Sequence, residues 1–169
     1  MSFWQVIGKN LLGFDLIIFI VAAFNGVCYY LTRLYTDQLY KKLNMIVFVP
    51  SHRHDPEKVA KTIRDLDEGG IVALRKRSEG FYSIFANVTA IFPLLGILGT
   101  VVSLLPMVAE LSDMQQNFFA ALTSTFWGLV FAILFKLLDG FLSARLEDND
   151  KNVTLLLERR DLLKKEEQA

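Results

Sequence analysis

Three runs of uncharged, apolar residues decide what this chain can become. Leu16 to Leu31 carries no charge, and Asn25 is its one strongly polar residue; Phe81 to Val108 is uncharged throughout, and so is Phe118 to Phe135. Strongly charged stretches separate the three. A helix of about 20 apolar residues crosses the roughly 30 Å hydrocarbon core of a bilayer. The first run is short at sixteen residues, so Leu11–Phe14 and Tyr29, Tyr30 and Leu34 are expected to extend it, with the two tyrosines forming an interfacial belt. The expected fold is all-α: a polytopic membrane protein with three transmembrane helices at 15–33, 81–109 and 118–140.

The rest of the chain fits round these spans. Phe3, Ile7, Leu11 and Phe14 fall on one helical face, so residues 1–14 read as an interfacial helix with Trp4 at headgroup depth, or as the start of the first span. Lys9 is the only base before residue 11, and no small-residue cleavage site closes the first run; that run is expected to be retained rather than removed as a signal. Residues 34–80 form a polar connection. In it Asp55-Pro56 reads as a helix start, Gly69-Gly70 as a helix stop, and Val59, Ile63 and Leu66 as the apolar stripe between them. Ile71 and Leu74 resume helical spacing into the second span. Glu110, Asp113, Gln115, Gln116 and Asn117 read as a short turn. The tail at 141–169 keeps Leu142, Leu146, Val153, Leu156, Leu157 and Leu163 in helical spacing, so the third helix is expected to continue into water.

Charge gives the orientation. From Thr32 to Tyr82 the chain carries ten bases: Arg33, Lys41, Lys42, Arg53, Lys58, Lys61, Arg64, Arg75, Lys76 and Arg77. The tail carries six: Arg145, Lys151, Arg159, Arg160, Lys164 and Lys165. The turn between the second and third spans has none. The positive-inside rule therefore places connection and tail in the cytoplasm, and the N-terminus and the turn outside. Eighteen basic and eighteen acidic residues cancel, which gives no case for nucleic acid.

No enzyme constellation is present, and no catalytic residue is assigned. His52 and His54 sit in a polar loop with nothing to complete a metal site, so no metal is expected. The single cysteine, Cys28, lies in an apolar run and reads as a small buried hydrophobe. No acid lies inside any of the three uncharged runs. The spans instead carry two stripes of small and hydroxyl-bearing residues. On the second helix Thr89, Pro93, Gly96, Thr100 and Ser103 hold one narrow sector, and on the third Ala121, Thr125, Gly128 and Ala132 do the same. Such stripes let helices approach closely in lipid. They serve packing within the chain, or a partner and a wet path. Pro93 frees a carbonyl in mid-membrane that needs a donor. Lys136 and Asp139 are three apart and can pair.

Phe92-Pro93-Leu94-Leu95-Gly96-Ile97-Leu98-Gly99-Thr100-Val101 resembles the second-span signature of the ExbB/TolQ/MotA proton-channel family, Pro-x-x-Gly-x-x-Gly-Thr. Ala121-Leu122-Thr123-Ser124-Thr125-Phe126-Trp127-Gly128-Leu129 resembles its next span, Ala-Leu-x-x-Thr-x-x-Gly-Leu. Motif order, the short turn and the charged tail agree, over roughly residues 10 to 160. The resemblance implies a ring, a pentamer, around a dimer of a single-span partner similar to ExbD, TolR or MotB. That partner brings the membrane aspartate that binds the transported proton or sodium ion, and no cofactor is needed. On this carry-over Thr100 and Thr125, with Ser103, Thr89 and Ser124, face the partner or line the ion path. Pro93 is a hinge, and Gly96, Gly99 and Gly128 give clearance for the partner to rotate. The implied setting is the bacterial inner membrane. Arg75, Lys76, Arg77 and Glu79 form a cytoplasmic cluster that either touches a driven component or anchors the span. Ala120 departs from the glutamate that ExbB-like members often carry before the third-span Ala-Leu. The alternative from another class is a non-conducting membrane scaffold that uses the same faces for packing.

Overall fold

The computed structural model describes residues 14–47, 67–109 and 114–168, and these form three helices. They are α1 (Phe14–Val47), α2 (Glu68–Ala109) and α3 (Met114–Gln168). No strand occurs among the described residues. All three helices are long and apolar enough to cross a membrane. The 55 residues of α3 are more than twice the about 20 that cross a hydrocarbon core. The N-terminal segment before Phe14, the His52/His54 loop, the Asp55-Pro56 helix start and its Val59–Leu66 stripe lie outside the described residues, as do Glu110 and Asp113 of the turn.

Two readings of the connecting regions change. Gly69 and Gly70 stand in the first turn of α2, not at a helix stop. Asp67 caps this helix: its Oδ1 accepts the Gly70 N–H at 2.9 Å, and its carbonyl accepts the Ile71 N–H at 3.2 Å. An acid at the cap satisfies orphan donors and complements the helix dipole. A Cβ on Gly70 would collide with the Asp67 carboxylate, so glycine here makes room for the cap. Likewise Gln115, Gln116 and Asn117 belong to the start of α3 rather than to the turn.

The chain divides into two compact units. One comprises Met1–Tyr29 with Ser83–Gly140, the other Tyr30–Tyr82 with Phe141–Ala169. The first is cored by aromatic rings. Phe92 and Phe135 stack at 5.3 Å, Phe85 meets Phe135 edge-on at 6.0 Å, and Phe19 packs on Trp127 at 5.0 Å and on Phe131 at 5.3 Å. Phe85 and Phe92 are completely buried. Lipid tails are as apolar as these side chains, so close ring packing, rather than hydrophobic expulsion, holds the helices together there. Asn25 adds a buried bond, its Nδ2 donating to Thr89 Oγ1 at 3.0 Å, while Thr89 Oγ1 donates to the Phe85 carbonyl at 2.8 Å. Lys136 and Asp139 do pair, at 2.8 Å.

The second unit has an aliphatic core of Leu39, Leu43, Ile71, Val153 and Leu156, with Leu74 and Leu157 packed against it. Polar ties surround this core. Asn149 Nδ2 donates to the Thr36 carbonyl at 3.0 Å, Arg145 pairs with Asp37 at 3.0 Å, and Arg160 pairs with Glu68.

Candidate functional site

The two small-residue stripes meet. Gly96 on α2 and Gly128 on α3 face one another so closely that a Cβ on Gly128 would lie 2.8 Å from Gly96 Cα and 2.8 Å from the Phe92 carbonyl oxygen. A Cβ on Gly96 would lie 3.2 Å from Thr125 Cα. The glycines are therefore the contact itself: α2 and α3 touch backbone to backbone, as small residues allow in lipid. Clearance read from the sequence as room for a partner is used inside the chain at Gly96 and Gly128. Gly99 does the same one turn on, where a Cβ would stand 2.6 Å from Ser124 Cβ and 2.6 Å from Phe14 Cδ1.

One turn beyond that contact the hydroxyls pair. Thr100 Oγ1 and Thr125 Oγ1 share a hydrogen bond across α2 and α3, and both side chains are half-buried. Thr100 Oγ1 also lies 3.1 Å from the Gly96 carbonyl, its donor target one turn back, and Thr125 Oγ1 lies 3.3 Å from the carbonyls of Gly96 and Ala121. Each hydroxyl carries one proton, so more acceptors than protons converge here. Such a spot holds a hydroxyl network and leaves oxygen lone pairs for a further donor or cation.

The other hydroxyls go elsewhere. Thr89 is buried and bonded to Asn25 of α1, and Ser124 is buried with its Oγ donating to Asp15 Oδ1 at 2.5 Å. Both reach toward α1 within the chain. Ser103 is half-buried. Pro93 is half-buried, and α2 stays helical through it.

The cluster at 75–79 resolves into distinct roles. Arg75 pairs with Glu79 at 2.9 Å and with Asp150 of α3, while Ser78 Oγ donates to the Arg75 carbonyl at 2.8 Å. Arg75 is thus engaged within its own unit. Lys76 and Arg77 are exposed.

Sequence reasoning missed Asp15. It sits in the first turn of α1, where it reads as the boundary of a span, yet it is only 2% exposed. The signal was available. Asp15, Ile18, Ala22 and Asn25 recur at spacings of three and four, all four are buried, and Asp15 continues the inward stripe of α1.

The family model described as the MotA/TolQ/ExbB proton channel family matches residues 34–154, which include the Gly96/Gly128 contact and the Thr100–Thr125 pair. The chain belongs to the MotA/TolQ/ExbB proton channel family. It is a membrane protein of a channel-forming family. No curated protein and no solved structure matches it.

Proposed function

We propose that this chain is the ring-forming subunit of an ion-motive-force-driven motor in the bacterial inner membrane. Five copies surround a dimer of a single-span partner similar to ExbD, TolR or MotB. The N-terminus lies outside, and the connection and tail lie in the cytoplasm, following the distribution of bases. The ion, a proton or a sodium ion, passes along the Thr100–Thr125 face. The observation that carries this reading is the hydroxyl pair itself: two half-buried threonines, oxygen-rich, on spans that carry no charge from Phe81 to Val108 and from Phe118 to Phe135. A wall of that kind offers hydrogen bonds to a moving ion without trapping it in a charge pair. Pro93 supplies a hinge next to it. Lys76 and Arg77 are the bases left to meet a driven component.

The test is Thr125→Ala beside Thr125→Ser, with assembly of the complex and ion-driven work measured separately. The motor reading expects Thr125→Ala to assemble and lose coupled work, and Thr125→Ser to keep it. Full activity in Thr125→Ala refutes a path along this pair. A second reading, a non-conducting scaffold, draws on the use of Gly96 and Gly128 for packing within the chain. It expects both variants to retain whatever the complex does.

A further inference from the structure

The first helix carries a carboxyl group to the same place. Asp15 is buried against α3, its Oδ1 accepting from Ser124 Oγ at 2.5 Å. Its Oδ2 is buried as well and has no hydrogen-bond partner among the described residues. Ser124 faces Gly99, and the next residue on each helix is a member of the Thr100–Thr125 pair. The acid therefore meets α3 at the residue that precedes Thr125, beside the path assigned under the motor reading.

Its surroundings do not explain it as a structural residue. Among the described residues of this unit the other charged side chains are Lys136 and Asp139, which pair with each other. Lys136 lies twelve residues along α3 from Ser124, about 18 Å at 1.5 Å per residue, and does not reach Asp15. A carboxyl buried at membrane depth with one oxygen unpaired is costly. An asparagine or serine would satisfy Ser124 without that cost. What those residues lack is an oxygen that binds and releases a proton. A favourable dipole at the start of α1 accounts for an acid in the first turn but not for its burial or its unpaired oxygen. Asp15 also lies outside the stretch matched by the family model, residues 34–154, so the family match assigns it nothing.

We propose that Asp15 is an ion-exchanging carboxyl supplied by this chain itself, in addition to any acid from a partner. A proton arriving along the Thr100–Thr125 face is taken up on Asp15 Oδ2 and released from that same atom back to the path. Ser124 keeps its own proton throughout and holds Oδ1, fixing which oxygen is available. This inference rests on the motor reading, and its test separates the two.

The experiment uses the complex purified from membranes through a tag on the full chain and reconstituted into liposomes. Ion-driven flux is measured over a pH series, and carboxyl protonation is followed in parallel by infrared difference spectroscopy. Asp15→Asn keeps the shape and the acceptor for Ser124. It is expected to assemble like the wild type and to lower flux by roughly a hundredfold at every pH, the typical contribution of a positioned proton-transfer group. Asp15→Glu is expected to restore part of the flux with a displaced pH profile. The wild type is expected to show a titrating carboxyl band that vanishes in Asp15→Asn and changes frequency in Ser124→Ala. Wild-type flux and pH profile in Asp15→Asn, or no titrating band that depends on Asp15, overturns the proposal. A wild type that moves no ions yet shows that titrating band refutes the motor reading while upholding proton exchange at Asp15.

Discussion

Adding one methyl group at Gly128 tests the backbone contact most directly. In Gly128→Ala the new Cβ would lie 2.8 Å from Gly96 Cα, 2.8 Å from the Phe92 oxygen and 2.9 Å from Gly96 N. All three are backbone atoms of α2, so no flexible side chain can yield. Ordinary contact begins near 3.4 Å, so the two helices must part by 3.4 − 2.8, or about 0.6 Å. A gap of that size forfeits a quarter to a half of each dispersion contact along the seam, and overpacking of this kind costs about 1–3 kcal/mol. Alanine returns up to about 1 kcal/mol through its better helix propensity. With the full return, the net expectation is a loss of up to about 2 kcal/mol for Gly128→Ala. Gly96→Ala meets its nearest neighbour at 3.2 Å and should be close to neutral. Gly26→Ala has nothing within 4 Å and should be neutral or stabilising. Equilibrium unfolding of the purified chain in mixed detergent micelles gives all three values on one scale. A Gly128→Ala variant as stable as Gly26→Ala would refute backbone-to-backbone packing of α2 on α3.

Asn25 and Thr89 should show coupling in a double-mutant cycle of Asn25→Leu and Thr89→Val, at about 0.6 kcal/mol and no more than about 2. Zero coupling would remove their 3.0 Å bond from the account of how α1 is held. Asp67→Ala should destabilise the chain by about 1 kcal/mol and raise amide exchange at Gly70 and Ile71. Unchanged exchange there would dismiss the cap. In the tail, Lys151 pairs with Glu147 at 2.8 Å, and its hydrogen bond and charge hold the Glu147 carboxyl below its usual range while Glu147 raises Lys151. A lowered carboxyl stabilises above its unfolded value and loses that contribution as pH falls through the folded one. A raised ammonium stabilises below its unfolded value and loses it as pH rises through the folded one. The pair therefore helps most between the two titrations, and by little, because both groups are fully exposed. Lys151→Gln should return the Glu147 titration upward in an NMR pH series, and an unmoved midpoint would show that the pair does not form.

The helical spans were legible because length and lack of charge leave little choice. Helix ends were not. Gly69-Gly70 carries the composition of a stop, and only the Asp67 carboxylate over the Gly70 amide shows that the pair opens a helix. Glutamines and an asparagine after Asp113 look like a turn, yet nothing in them prevents the first turn of α3. The stripes were legible as stripes, from spacing alone. Which surface they meet was not, because small residues at intervals of three and four serve a neighbour in the same chain or in another one equally well. The Cβ positions decide it for Gly96 and Gly128, and the Asn25 bond decides it for Thr89.

Burial of these stripes inside the chain reassigns the surfaces left for other chains. With the glycines of α2 turned to α3, the exposed large hydrophobic side chains of α2 include Leu94, Ile97, Leu98, Val101, Val102 and Leu105. Those of α3 are again large and apolar, including Phe118, Leu122, Phe126, Leu129 and Ile133. Such faces suit lipid or another copy of the chain, and they offer an ion nothing. The polar side chains of this unit turn inward instead: Ser124 bonds Asp15, Thr100 bonds Thr125, and Asn25 bonds Thr89. Under the motor reading the ion passes the Thr100–Thr125 pair, where hydroxyl oxygens with spare lone pairs stand in for water. The glycine contact sets how closely α2 and α3 stand, and so how far apart the threonine hydroxyls are held. Stability and ion passage should then fail together in Gly128 variants and separately in Asp15→Asn, which removes the exchangeable proton and leaves the packing in place.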